Sequence, residues 1–148
     1  MIQRELCRWI RLAYPGVIFN SDLSGLNMHG GIRGRVASLR SSRGVPDLMV
    51  FEPSYRRGYT GLFVELKSEG VKIRKLNGEM VKDSHINEQR DMMEMLRGKG
   101  YFANFAVGLD EAMELVEWYL EDKIMALPIP DYIDSQRYMD YMNKRTNK

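Results

Sequence analysis

Two short apolar runs in this chain each carry charge where a strand core should be bare of it. They are Gly44-Val45-Pro46-Asp47-Leu48-Met49-Val50-Phe51 and Gly61-Leu62-Phe63-Val64-Glu65-Leu66-Lys67. Runs of this length, bounded by glycine and proline, read as buried strands. Side chains alternate along a strand, so Glu65 and Lys67 share one face and Leu66 takes the other. An aspartate in one run and a glutamate and lysine in the other are poor core residues unless the fold brings them together for use.

Paired strands would bring Asp47 and Glu65 to one ion at roughly 2–2.4 Å, the range for magnesium or calcium with oxygen ligands. The backbone carbonyl of Leu66 supplies a further donor. Lys67 beside Glu65 suits an orienting and electrostatic role toward a water or a phosphoryl group, rather than that of a general base. The chemistry suggested is phosphodiester hydrolysis. The same residues also fit an exposed Glu–Lys pair with Asp47 as a turn residue after proline.

The rest of the chain frames these strands. Ile2, Leu6, Trp9, Ile10 and Ala13 recur at helical spacing, so Ile2 to Tyr14 is expected to be a helix stopped by Pro15-Gly16. Val17-Ile18-Phe19 is a short strand candidate. Asn20 to Arg43, rich in glycine and arginine, reads mainly as a loop, with some helical character around Val36 to Leu39. Val71 to Asp83 carries Asn77-Gly78 between alternating residues and is expected to form an inserted hairpin. A helix from Ser84 or Asn87 to Arg97, a strand from Tyr101 to Val107 and a helix from Leu109 to about Asp122 follow. Asp131 to Met142 suggests one more short helix. The expected class is α/β, a small mixed sheet flanked by helices, with a body over residues 1–125 and a tail over 126–148.

With 148 residues, 44% apolar and 28% charged, the chain fits a single globular domain. Cys7 is alone, which excludes an internal disulfide and a cysteine-based zinc site, and two histidines do not make a His-rich metal centre. A hard, oxygen-liking ion suits the carboxylates better. No run is long and apolar enough to span a membrane, and no signal-peptide run opens the chain, so a soluble cytoplasmic protein is expected. The net charge of +2 hides an asymmetry. Arg4, Arg8, Arg11, Arg33, Arg35, Arg40 and Arg43 face only Glu5 and Asp22 in the first 45 residues, whereas Asp110 to Lys123 is acidic. Arg33, Arg35, Arg40 and Arg43 are candidates for phosphate contacts, joined by Lys72, Arg74 and Lys75 on the hairpin. Solvated charged faces are the other reading of the same pattern.

The G-V-P-D-L and F-V-E-L-K segments resemble the PD-(D/E)XK nuclease superfamily. More specifically they are similar to its virus-type replication-repair nuclease (VRR-NUC) domains, of the stand-alone phage type. Glu88-Gln89-Arg90, Leu96-Arg97-Gly98-Lys99-Gly100-Tyr101 and Gly108-Leu109-Asp110-Glu111-Ala112 agree with that family's later segments. The resemblance implies a restriction-endonuclease-like core, with Asp47 and Glu65 as metal ligands, Lys67 as the catalytic lysine and Gln89 as an active-site residue. It also matches Glu5 to an acidic residue on the first helix that joins the metal site. The expected cofactor is Mg2+ or Mn2+. The expected substrate is DNA, branched or structured (four-way junctions or flaps), cut by a homodimer working in DNA repair, in host cytoplasm where phage-encoded. A catalytically silent DNA-binding module of the same fold is the alternative.

Overall fold

The computed structural model describes residues 1–22, 29–39, 41–42, 44–54 and 56–121. The expected tail over 126–148 with its helix, Arg40, Arg43 and the side chain of Arg33 lie outside the described residues.

The elements run α1 (Ile2–Ala13), β1 (Phe19–Ser21), α2 (Gly30–Ser38), β2 (Leu48–Val50), β3 (Leu62–Lys67), α3 (Ser84–Gly98), β4 (Phe102–Val107) and α4 (Gly108–Leu120). The four strands form one mixed sheet in the order β1-β2-β3-β4. The first three are antiparallel, with Ser21 opposite Leu48 and Leu48 opposite Val64. β4 returns through α3 to lie parallel to β3, Leu62 opposite Phe102 and Lys67 opposite Val107. Parallel neighbours need such a crossover because a tight turn cannot reverse the chain twice.

Alternation along β3 sorts the two cores. Leu62, Val64 and Leu66 join Leu48, Val50, Phe102 and Ala106 against Leu6 and Ile10 of α1 and Leu115, Val116, Trp118 and Tyr119 of α4. Leu6 and Ile10 are fully buried, each contributing about 1.5–3 kcal/mol by the usual transfer scale. On the opposite face Phe63, Ala103 and Phe105 meet Ile86 and Met93 of α3. Glu65 and Lys67 share parity with Phe63, so the charged pair lies under α3. Arg57 stacks 4.5 Å over the Trp118 ring and donates to the Tyr119 carbonyl, tying the β2–β3 connection to α4.

Two expectations need correction. The segment expected mainly as a loop contains α2, where three glycines hid an Ile32–Val36–Leu39 spacing of four and three. This helix is almost wholly exposed. The first strand lies at Phe19–Ser21, later than Val17-Ile18-Phe19, because β1 is an edge strand that tolerates an exposed Asn20, while the half-buried Ser21 hydroxyl bonds the Asp47 carbonyl. The inserted hairpin expected over 71–83 is present as a short antiparallel pair. Lys75 N–H bonds the Glu79 carbonyl at 2.7 Å and Val81 N–H bonds the Ile73 carbonyl at 3.1 Å on either side of the Arg74–Met80 bridge, while Gly78 N–H closes the turn on Lys75 at 3.0 Å. Lys72, Arg74, Lys75 and Leu76 are exposed, and Ile73, Met80 and Val81 pack toward Ile86 and Met93.

Candidate active site

Asp47 precedes β2 at the point where the β2–β3 ladder ends. Beyond the Leu48–Val64 pair its side chain takes over, Oδ2 accepting from the Leu66 backbone N–H at 2.9 Å. Its backbone carbonyl accepts from Asp22 N–H at 2.7 Å and from the Ser21 hydroxyl at 3.0 Å, which fixes the segment from β1. The side chain of Gln3 in turn donates to Ser21 Oγ at 2.7 Å and to the Asp22 carbonyl, bringing α1 to the same corner.

Glu65 is 4% exposed and sits between Asp47 and α3. Its Oε1 accepts from Lys67 Nζ at 3.0 Å and from the Gln89 amide. Gln89 Oε1 accepts from the same ammonium at 2.7 Å, so lysine, glutamate and glutamine close a three-membered ring of hydrogen bonds. Lys67 Nζ also lies 5.8 Å from the centre of the Phe105 ring. The His85 ring, one turn before Gln89 on α3, reaches the Gln89 amide at 3.2 Å. Asp83 caps that helix by accepting from His85 N–H at 2.9 Å and Ile86 N–H at 3.0 Å, and these bonds hold its carboxyl below the ordinary value.

The electrostatics follow from this burial. Desolvation first, and then the neighbouring Asp47 charge, push the Glu65 carboxyl up to about 7 against the opposing pull of Lys67. Asp22 adds a smaller push in the same direction. A buried carboxyl with the half-buried Asp47 charge beside it favours a cation between them.

Glu5 is exposed at the rim of a cleft of about 530 Å³ that it shares with Gln3, Asp47, Leu66, Lys67 and Asp110. Glu69 borders the same space and packs on the backbone of Gly108. Among the described residues no three Asp, Glu, His or Cys side chains converge as a metal cluster. The donor set that is present, two neighbouring carboxylates beside a strand backbone, still fits a hard divalent cation. Asp47 and Glu65 would hold it, with the Leu66 carbonyl and Glu5 as further oxygen donors.

Gly44 ties this corner together. Its φ is +76°, and a Cβ placed there would meet the Glu88 carbonyl oxygen at 3.2 Å and the Gln89 Cα at 3.6 Å. Only glycine admits that approach without strain, so the Pro46-Asp47 loop rests directly on the turn of α3 that presents Gln89.

The structure thus brings Asp47, Glu65, Lys67 and Gln89 together and sets Glu5 at their margin. Arg35 lies exposed on α2, while Lys72, Arg74 and Lys75 lie on the 71–83 hairpin and do not line the Lys67 cleft. Arg74 instead donates to the Gly78 carbonyl and Lys75 pairs with Glu79. Sequence reasoning missed Gln3, Ser21, Asp22 and the contact of His85 with Gln89. The i, i+4 spacing of His85 and Gln89 on one helix face was the available sign.

A mixed sheet flanked by helices, with an aspartate before one strand, a Glu-x-Lys in the next and a helical glutamine over both, is a restriction-endonuclease-like fold. The family model for the VRR-NUC domain matches residues 32–108, just over half of the chain. The chain belongs to the VRR-NUC family, a nuclease-type DNA-processing domain, and Asp47, Glu65, Lys67 and Gln89 all fall within the matched segment. A solved structure described as a VRR_NUC domain protein shares the fold at a TM-score of 0.53 and 19% identity, over 81% of this chain and 85% of that one. No curated protein matches the chain significantly. Among the described residues no helix is long and apolar enough to cross a membrane.

Proposed function

We propose that this chain is a divalent-metal-dependent DNA endonuclease whose working unit spans residues 1–125. The observation that carries the proposal is the Lys67 ammonium held between Glu65 and Gln89, with Asp47 adjacent, at one side of an open cleft. When bound, Mg2+ or Mn2+ supplies Lewis-acid activation of water and neutralises phosphate charge. The protein's own residues do the rest. Asp47 and Glu65, with the Leu66 carbonyl and Glu5, hold the cation. Lys67 directs the N–H not given to Glu65 or Gln89 toward the phosphoryl oxygens, where negative charge builds in the transition state. Gln89 accepts from Lys67 and donates to Glu65, so both are aimed before substrate arrives. Family resemblance supports branched or structured DNA as the substrate, and a homodimer as the working form.

The test is incubation with duplex, flap and four-way DNA in magnesium, manganese or EDTA. Cleavage is expected only with the metals. Lys67→Ala should lower cleavage roughly a hundredfold or more while leaving DNA binding in place. Full activity in that variant refutes the assignment. Binding without cleavage by the unaltered protein, in either metal, would instead favour the silent DNA-binding module.

A further inference from the structure

Beside the Asp47–Lys67 cleft runs a larger groove of about 860 Å³ between α1 and the end of β1. Arg4, Arg8 and Arg11 line it, and all three are exposed. Their spacing of four and three puts them on one face of α1. None of the three is ion-paired among the described residues, unlike Lys75, Arg90 and Arg97 elsewhere on the surface. Gln3 and Glu5 border both the groove and the smaller cleft, so the two spaces meet at the N-terminal end of α1. At that end stand the groove's two acids, Glu5 and Asp22. Arg4 stands beside them, and Arg8 and Arg11 lead away toward the C-terminus of the helix.

We infer that this groove is the track for one strand of the DNA substrate, its sugar–phosphate backbone lying along Arg4, Arg8 and Arg11 as it leaves the reactive phosphate. The inference rests on the nuclease reading of the Lys67 cleft and adds the direction in which substrate runs from it. Three like charges on one exposed face repel one another, which leaves them stabilised by a polyanion. From Arg4 to Arg11 the helix advances about 10 Å at 1.5 Å per residue. A DNA strand presents a phosphate about every 3.4 Å of axis, so the stripe faces about three consecutive phosphates. The sign of charge also changes where it should. Glu5 and Asp22 sit with Arg4 at the metal end, and Arg8 and Arg11 stand beyond them, so the substrate meets bound cation first and a run of fixed cations next.

The test is fluorescence anisotropy of labelled four-way and duplex DNA in EDTA, where nothing is cut, over a series of salt concentrations. Arg4→Ala/Arg8→Ala/Arg11→Ala should weaken binding at least tenfold at moderate salt. It should also flatten the plot of log affinity against log salt by about 2–3, at about 0.9 for each phosphate that is no longer neutralised. The corresponding triple lysine variant should keep most of the slope. In manganese, the alanine triple should raise KM far more than it lowers kcat, with an unchanged melting temperature. An unaltered slope and affinity in the alanine triple overturn the track, as does a lysine triple that binds as poorly as the alanine one. Absence of DNA binding by the unaltered protein overturns it too. Failure of the nuclease reading shows separately, as absence of cleavage by the unaltered protein in either metal.

Discussion

Replacing Glu65 by Gln should make the metal-free protein more stable, and only at neutral and alkaline pH. Burial and the Asp47 charge raise this carboxyl from 4.5 to about 7, with the attraction of Lys67 already counted against them. Each pH unit of such a displacement is worth about 1.4 kcal/mol, so keeping Glu65 ionised costs the folded state about 3 kcal/mol. A group whose folded pKa is raised adds stability that is complete below its unfolded value and is lost as pH rises through the folded one. The wild type should therefore lose about 3 kcal/mol between pH 4.5 and pH 8 from this residue alone. Glutamine keeps an oxygen to accept from Lys67 and from Gln89, carries no charge and cannot titrate. Urea denaturation in EDTA, followed by circular dichroism, reads the difference directly. At an m-value of about 2 kcal/mol/M, the Glu65→Gln midpoint should lie about 1.5 M higher at pH 8 and coincide with wild type near pH 4.5. Manganese should stabilise the wild type at pH 8 and leave the variant nearly unmoved. No gain at pH 8, or the same gain at both pH values, would refute the account of the site as a buried anion awaiting a cation.

Two other substitutions test how the site is held. Gly44→Ala puts a side chain at positive φ and against the Glu88 carbonyl; a loss of about 1–3 kcal/mol is expected, read by urea denaturation, together with a lower kcat because Asp47 and Gln89 move apart. Asp83→Ala removes the N-terminal cap of α3 and should lower the melting temperature at neutral pH. Because that carboxyl titrates below its ordinary value when folded, its contribution is present above the unfolded pKa and fades as acid protonates it, so the difference in melting temperature should close in strong acid.

The strands that carry the site were legible because burial imposes a pattern: Leu48 to Val50 and Leu62 to Lys67 read as apolar runs with charge in unexpected places. Alternation alone placed Glu65 with Lys67, and the structure puts both on the α3 side. Gln89 was named through resemblance, although it falls on the Ile86–Gln89–Met93 spacing of three and four, because a polar side chain on that stripe reads as a gap in it. Asp22 and Gln3 were invisible for a different reason. Their roles run through backbone groups, Asp22 N–H to the Asp47 carbonyl and Gln3 to the Asp22 carbonyl, and backbone contacts leave no mark on residue type. The α2 segment misled because glycine is disfavoured in helices by about 1 kcal/mol relative to alanine, and Gly30, Gly31 and Gly34 together outweighed a short apolar spacing. Asn77-Gly78 did specify the hairpin turn, with Gly78 at φ +84°, and the antiparallel pairing it starts runs through the Arg74–Met80 bridge.

The parallel pairing of β3 with β4 has a consequence for when the Asp47–Lys67 site takes shape. Leu62 waits for Phe102, forty residues later, and every rung of that ladder closes a loop of similar length. Such distant contacts form late, because chain entropy must be overcome before they stabilise anything. A nascent chain that has emerged only through Gln89 already contains Asp47, Glu65 and Lys67, yet β3 has no neighbour on its β4 side and Lys67 has no Phe105 beneath it. The Asp47–Glu65–Lys67–Gln89 site is thus complete in composition well before it is complete in space. Its assembly waits until β4 has left the ribosome.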